Sequence, residues 1–176
     1  MINDLLTGSR IKLRALEDAD LEFLYRWEND TSIWDVSETL SPVSKYILKK
    51  YLENIHKDIY ETKQLRLMIQ LIKEDMPIGT IDLYDFDPLH RRSAVGILIA
   101  EKDERKKGYA SEALSILILY CREVLKLHQL YCNISSDNKS SLELFQQSGF
   151  EISGNRKDWK WDGKKFMDEH FLQCLL

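Results

Sequence analysis

The sequence predicts a single α/β domain (α+β in finer classification), in which a mixed β-sheet carries helices on its faces. Segments with the apolar pattern of strands alternate with segments of helical periodicity, in the order β-α-α-β-β-β-α-β-α-β-β. A length of 176 residues suits one domain. Neither a repeat nor a low-complexity segment nor a linker divides the chain, so we expect one domain over residues 1–176.

The first third of the chain is expected to contain one strand and two helices. Residues 10–14 alternate between polar and apolar side chains, as a half-buried strand does. Acidic residues from Glu17 onward suit the first turn of a helix, because its N-terminus carries partial positive charge. A polar loop follows over residues 29–40. The Ser-Pro pair at 41–42 then predicts the start of a second helix over residues 43–60.

The middle of the chain predicts three strands and the longest helix. Residues 65–72 and 78–86 are expected to pair as a hairpin, and residues 92–100 form the next strand. The helix that begins at Gly108 has apolar residues at i, i+3 and i+4 throughout. This is the strongest periodic signal in the chain.

The last third predicts a strand, a short helix and a closing hairpin. Residues 129–134 form a short apolar strand, and Gly149 suits the left-handed position that ends the helix after it. Two further strands are expected over residues 150–161 and 165–175. The Asp-Gly pair at 162–163 predicts a two-residue turn between them.

Composition excludes several classes of function. The net charge of −4 and a pI near 5.6 argue against a general nucleic-acid surface. The three cysteines are odd in number and form no C-x-x-C, which favours reduced, buried thiols in a cytoplasmic protein. No apolar run approaches the length of a membrane span, and no signal pattern opens the chain. The histidines share no metal-ligand spacing, so we expect no metal.

The junction between the strand at 92–100 and the long helix is a candidate anion site. Arg105, Lys106 and Lys107 precede Gly108, at a point where the first N–H groups of a helix lack intrahelical partners. Those N–H groups and the helix dipole attract an anion, and a diphosphate is the expected ligand. A solvated basic loop is the alternative, and the junction alone leaves both open. Neither a P-loop nor a Rossmann glycine motif is present.

Two motifs resemble those of the GNAT superfamily of acetyl-CoA-dependent N-acetyltransferases. Residues 105–110 (RKKGYA) match the [QR]-x-x-G-x-[GA] loop of that superfamily. Residues 138–141 (NKSS), followed by 148–150 (SGF), resemble its second motif. Within the superfamily, residues 11–30 and 90–94 are similar to the branch of ribosomal-protein-type and spermidine N-acetyltransferases. The resemblance covers essentially the whole chain.

The resemblance implies the GNAT fold, with about seven strands, helices on both faces and a splayed central strand pair. It also implies acetyl-CoA as the acetyl donor. Backbone groups at the end of the splayed strand would bind the pantetheine arm, the basic loop the diphosphate, and the second motif a further part of the coenzyme. The residues so assigned are Ile97, Leu98, Ile99, Arg105, Lys106, Lys107, Gly108, Tyr109, Ala110, Ser111, Asn138, Ser141 and Phe145.

The implied reaction is direct attack of a neutral amine on the thioester in a ternary complex. A carboxylate or a water chain must first remove a proton from the amine, and a donor must protonate the leaving thiolate. Members of the superfamily often use a tyrosine as that donor, but the matching position here is Phe145. Either a water or another group supplies the proton, or catalysis is weakened. A non-catalytic acyl-CoA-binding module is therefore an alternative.

Three acidic residues are candidates for binding or deprotonating the acceptor amine. Asp82 and Asp85 lie on one predicted strand, three residues apart, and so point to opposite faces if the strand is regular. Glu38 lies in the loop that borders the substrate cleft in the family, as does Trp34. Each acid could instead be a solvated surface residue. A polyamine such as spermidine is the first candidate acceptor and a protein N-terminal amine the alternative, while a homo-oligomer is left open.

Overall fold

The structure is a computed structural model, which describes residues 5–34, 39–54 and 57–176. Within these residues lie seven strands and five α-helices with defined bounds, together with three short 3-10 helices. In chain order the strands and α-helices are β1 (Ile11–Arg14), α1 (Leu21–Glu28), α2 (Lys45–Glu53), α3 (Ile59–Thr62), β2 (Leu65–Leu71), β3 (Pro77–Asp87), β4 (Arg92–Ile99), α4 (Tyr109–Glu123), β5 (Gln129–Ser135), α5 (Lys139–Gln147), β6 (Glu151–Trp161) and β7 (Phe166–Leu175).

The strands form one mixed sheet in the order β1-β2-β3-β4-β5-β7-β6. Neighbours are antiparallel except for β4 and β5, which are parallel and connected through α4. The predicted fold class and strand number are confirmed.

The pairing of β4 with β5 is short. Residues 92–94 pair with residues 129–131, and the two strands then separate. From there β4 continues to Ile99 and β5 to Ser135, each still paired with its other neighbour. The predicted splayed pair is therefore present at the centre of the sheet.

Two apolar cores cover the two faces of the sheet. Alternate residues of β2 divide between them, because successive side chains of a strand point to opposite faces. Leu67 and Ile69 belong to the larger core with Leu114 and Leu117 of α4. Met68 belongs to the smaller core, beneath α1 and α2. Helices thus lie on both faces, as predicted.

The prediction of one helix over residues 43–60 is wrong. The helix α2 ends at Glu53, where the side chain of Asn54 donates to the carbonyl of Lys50 (2.8 Å). Asp58 then begins the separate helix α3, because its carboxylate accepts from the N–H groups of Tyr60 and Glu61. Apolar spacing continued across both segments, but the polar caps divided them.

The closing hairpin also differs from its prediction. The turn centres on Gly163 and Lys164 and not on the Asp-Gly pair. The Asp162 carboxylate accepts from the N–H groups of Lys164 and Lys165, both at 2.8 Å, and Gly163 has a φ of +93°. By contrast, Gly149 follows α5 with a φ of +92°, as expected of a glycine that ends a helix.

Candidate functional site

The separation of β4 from β5 opens a cleft of about 1200 Å³. Residues 96–98 of β4 line one side and residues 132–135 of β5 line the other. Because these strand edges do not pair with each other, their backbone groups on that side can bind an extended ligand. The cleft lies at the point where the sheet divides.

The cleft contains part of the predicted coenzyme site. Among the residues assigned to the coenzyme, five line it: Ile97, Leu98, Asn138, Ser141 and Phe145. Ile99 and residues 105–111 lie outside this lining, where β4 ends and α4 begins.

The loop before α4 has an unusual backbone. Lys106 and Gly108 both have left-handed conformations, with φ of +60° and +85°. Gly108 is the N-cap of α4, and because glycine has no side chain it makes no side-chain capping bond to the N–H groups of the first turn. Those N–H groups, at the positive end of a helix of 15 residues, are suited to an anion.

Two of the three basic side chains of this loop, Arg105 and Lys107, have protein partners. Arg105 donates its Nε to the carbonyl of Ile99 (2.8 Å) and Nη2 to that of Ala100 (3.3 Å), and so fastens the loop to the end of β4. The Lys107 ammonium lies 3.0 Å from Glu104, and this hydrogen bond raises the pKa of Lys107. Arg105 is thus placed to brace the loop, while the backbone presents the N–H groups.

The second motif begins a helix beside the cleft. Asn138 caps α5, its side-chain oxygen accepting from the N–H of Ser141 (3.2 Å). Further along α5, Phe145 is 4% exposed and packs edge-on against Phe150, with ring centroids 5.0 Å apart. Phe145 lines the cleft but has no proton to donate.

One predicted acid lies in the cleft as part of an ionic cluster. Arg66 of β2 faces Asp82 of β3 across the sheet and donates Nε and Nη2 to its two oxygens, at 2.7 and 3.2 Å. The Nη1 of Arg66 donates to Glu28, the last residue of α1, at 3.0 Å. Burial alone lowers the pKa of Arg66, but the charge and hydrogen bonds of Asp82 outweigh it and hold that pKa above its ordinary value.

The other two predicted acids are not placed with Asp82. Asp85 is exposed, has a φ of +48° at an irregularity in β3, and lies outside the cleft lining. Glu38 lies outside the described residues. Trp34 does line the cleft, and its Nε1 donates to the carbonyl of Glu28 at 2.9 Å.

Comparison with known proteins identifies the family. Residues 10–151 match the family model of the acetyltransferase (GNAT) domain. The chain belongs to the GNAT acetyltransferase family. This confirms the membership predicted from the two motifs.

Relatives of this acetyltransferase include two named spermidine N(1)-acetyltransferases. The one from Vibrio cholerae is 26% identical, over 84% of this chain and 83% of the relative. The one from Escherichia coli K12 is 25% identical, over 82% and 74%. The acetyltransferase PseH of Campylobacter jejuni is 28% identical, over 85% and 90%.

Solved structures show the same fold. The spermidine N-acetyltransferase of Vibrio cholerae, in complex with CoA and spermine, matches with a TM-score of 0.85 at 24% identity, over 96% of both chains. A GNAT-family acetyltransferase from Bacillus anthracis matches with a TM-score of 0.79 at 20% identity, over 97% of both chains.

The acetyltransferase cleft also contains charged residues that the sequence analysis missed. Glu28 and Arg66 belong to the cluster around Asp82. Extended residue by residue from the pairing of Gln70 with Pro77, the hairpin register would place Arg66 opposite Ile81, and the irregularity between Ile69 and Gln70 brings it opposite Asp82 instead. Glu169 of β7 is 8% exposed, lines the opposite wall and accepts from Arg156 at 2.7 Å. No sequence signal distinguishes Glu169 from a surface carboxylate.

The thiol that lines the cleft is unreactive. Burial raises the pKa of Cys132 to about 12, so its thiolate is scarce at neutral pH. Within the described residues, no group of side chains is arranged to hold a metal ion. None of the described helices combines the length and apolarity needed to cross a bilayer.

Proposed function

We propose that this protein transfers the acetyl group of acetyl-CoA to a primary amine of a polyamine. The observation that carries the proposal is the cleft at the splayed strands, which joins unpaired edges of β4 and β5 to a wall bearing Asp82 and Glu28. The protein's membership of the GNAT family supports acetyl transfer, and the named spermidine acetyltransferases among its relatives support a polyamine acceptor.

The coenzyme would occupy the β4 side of the cleft. Backbone groups of residues 97–99 would bind the pantetheine arm as a neighbouring strand would. The N–H groups of residues 108–111 would bind the diphosphate at the start of α4. The remaining coenzyme contacts would come from Asn138, Ser141 and Phe145, which line the cleft from α5.

The acceptor would bind the wall that carries the Arg66 cluster. Glu28 and Asp82 together carry two negative charges against the one positive charge of Arg66. The cluster is therefore suited to one ammonium group of the acceptor. Asp137 on the opposite wall, beside the Glu169–Arg156 ion pair, adds a carboxylate that a second ammonium of the same polyamine would reach.

The reaction would proceed by direct transfer. The neutral amine attacks the thioester carbonyl carbon and forms a C–N bond, and the nitrogen gives up a proton to a carboxylate or a water. The C–S bond breaks, and the sulfur leaves as a thiolate that must gain a proton. An acetyl-enzyme through the cleft cysteine is disfavoured because the pKa of Cys132 is raised to about 12.

Tyr84 is the proton donor that the cleft offers in place of Phe145. Among the residues described as lining the cleft, it is the only tyrosine. Its ring lies against Gly96, where a Cβ would come within 3.6 Å of Cε1. This places a phenol beside the first residues of the separated β4. We assign protonation of the thiolate to Tyr84.

The test is release of free thiol from acetyl-CoA with spermidine, spermine, an N-terminal peptide and an aminoglycoside as acceptors. We expect release with the two polyamines. Release with the peptide alone would favour the protein N-terminal alternative. If no amine caused thiol release although acetyl-CoA raised the melting temperature, the result would favour the non-catalytic binding module that Phe145 suggests.

A further inference from the structure

Arg10 connects the start of β1 to the loop before α4. Its Nη1 donates to the carbonyl of Lys107 at 2.8 Å, and its Nε donates to Glu112 Oε2 at 2.8 Å. One guanidinium therefore holds the residue before Gly108 and a residue in the first turn of α4. Arg10 lies about a hundred residues away in sequence and in neither GNAT motif.

Glu112 is the fixed partner in this arrangement. Its Oε1 accepts from the backbone N–H of Arg10 at 2.8 Å and from the hydroxyl of Ser9 at 3.1 Å. Its side chain is 15% exposed. Burial raises the pKa of Glu112, but the hydrogen bonds from Arg10 and Ser9 outweigh burial and lower it. Glu112 is consequently ionised at neutral pH and anchors Arg10 to α4.

The contact with Lys107 sets the direction of one N–H group. A trans peptide unit points its C=O and its N–H in opposite directions, and no cis peptide occurs among the described residues. The carbonyl of Lys107 and the N–H of Gly108 belong to the same peptide unit. Because Arg10 draws that carbonyl toward itself, the N–H of Gly108 points away from Arg10, toward the other side of the loop.

The guanidinium is packed as well as hydrogen-bonded. Its carbon lies 4.8 Å from the ring centroid of Tyr109. A Cβ built on Gly108 would lie 3.3 Å from Nη2 of Arg10. The guanidinium thus lies against the side of the glycine on which a Cβ would stand.

We propose that Arg10 is a positioning residue for the coenzyme, which holds the N–H groups of the diphosphate loop in their binding orientation before the coenzyme arrives. The inference rests on the coenzyme site of the proposed function. A loop already held in its bound conformation loses less entropy on binding, so the effect is on affinity and not on the reacting atoms.

The experiment titrates CoA and dephospho-CoA calorimetrically into the wild type, Arg10→Met, Glu112→Gln and the double variant. We expect each single variant to weaken the binding of both ligands by the same factor, about 10- to 100-fold. The double variant should be little weaker than either single one, because the two residues act as one unit. Lys12→Met is the matched control, since Lys12 is a cation two residues further along, in β1, that contacts Asp75 at 3.4 Å. It should stay within about twofold of the wild type.

Several results would overturn the proposal. Unchanged CoA affinity in Arg10→Met would do so directly. If Arg10→Met lost affinity for CoA but not for dephospho-CoA, Arg10 would instead be a direct contact of the 3′-phosphate. Wild-type CoA affinity in Arg10→Lys would also overturn it, because a lysine cannot bond to both Lys107 and Glu112 as a guanidinium does. Positive charge alone would then account for the affinity. If Arg10→Met does not fold, Arg10→Lys and Glu112→Gln decide the question.

Kinetics separate positioning from a general structural role. Arg10→Met should raise the KM for acetyl-CoA and leave both kcat and the acceptor KM unchanged. A purely structural role would instead lower the melting temperature and the active fraction while the folded protein kept its affinity. CoA titration needs no acceptor. A wild type that binds CoA but acetylates no amine would therefore contradict the proposed function and leave this inference intact.

Discussion

Asp82, which we propose as a binding group for the acceptor, is also part of a charge cluster. Its carboxylate is shared with Arg66, which also binds Glu28, and the three side chains are 25% to 29% exposed. Water therefore reaches the cluster, and an ammonium group can join it without displacing the guanidinium. Removing any one charge changes the net charge of the whole group.

Asp82→Asn should weaken binding of the acceptor and leave binding of the coenzyme unchanged. The change makes the cluster neutral, so we expect the KM for spermidine to rise about 10- to 100-fold while the affinity for CoA stays constant. Steady-state kinetics and CoA titration measure the two effects. Asp85→Asn is the control, because Asp85 is on the same strand but outside the cleft lining. Equal effects of the two variants would remove Asp82 from the acceptor site.

Tyr84→Phe should lower kcat about 100-fold, a usual contribution of a positioned acid. The loss should appear in kcat and not in the KM for acetyl-CoA, because only the leaving thiolate needs the proton. Tyr131→Phe serves as the control, since Tyr131 lies on β5 outside the cleft lining and packs on Phe171. A wild-type kcat in Tyr84→Phe would assign the proton to water.

Glu112 makes stability depend on pH in a defined direction. Because its pKa in the folded protein is below the ordinary 4.5, ionised Glu112 stabilises the fold above that pH. This contribution is lost as the pH falls through the lowered pKa. We expect Glu112→Gln to cost about 1 to 2 kcal/mol near neutral pH, and the difference from the wild type to shrink by about pH 4. Denaturant unfolding at both pH values tests this, and a constant difference would contradict it.

At the scale of elements, the loop before α4 depends on one glycine. Gly108 has a φ of +85°, which side chains rarely adopt, and a Cβ there would meet Arg10. The sequence places Gly108 at a candidate anion site. The structure adds that the side of the glycine where a Cβ would stand is occupied by protein.

Gly108→Val should weaken CoA binding about 10-fold or more, because the loop must change conformation. Gly163→Val provides a matched control. Gly163 also has a left-handed φ, of +93°, but nothing lies within 4 Å of its Cβ position. Both variants should lose about 1 to 2 kcal/mol of stability, since left-handed backbone disfavours a side chain, but only Gly108→Val should lose CoA affinity. Unchanged CoA affinity in Gly108→Val would separate the loop from the coenzyme site.

Periodic elements could be predicted from the sequence, and the interruptions between them could not. The helix α4 was found because its apolar spacing persists through 15 residues. The break between α2 and α3 is hidden from periodicity, because the apolar spacing continues across Asn54 and Asp58. The splay of β4 was available only through the family resemblance, because an apolar strand looks the same whether or not its neighbour pairs with it.

The candidate site was predicted unevenly for a reason that concerns the whole molecule. Most of the residues proposed for the coenzyme lie in two short motifs, at 105–110 and 138–141, so the sequence itself points to them. Glu28, Arg66 and Asp82 come from three separate elements, and only the folded sheet places them together. Nothing local distinguishes such a cluster from ordinary surface charges.

The cleft as a whole implies that both substrates bind before reaction. Initial-rate patterns should intersect, as for a ternary complex, and not run parallel. Cys132→Ala should keep kcat within a few-fold of the wild type, with a loss of about 1 kcal/mol of stability from the buried position. Parallel patterns together with an inactive Cys132→Ala would point to an acetyl-enzyme.

The short ladder between β4 and β5 also divides the sheet mechanically. The molecule consists of a four-stranded and a three-stranded antiparallel half-sheet, joined edge to edge by three residue pairs. A ligand that forms hydrogen bonds to the unpaired edges of both β4 and β5 would connect the two half-sheets where they separate. Binding of the coenzyme in the cleft would then raise the free energy of unfolding, so the coenzyme would stabilise the fold as well as react.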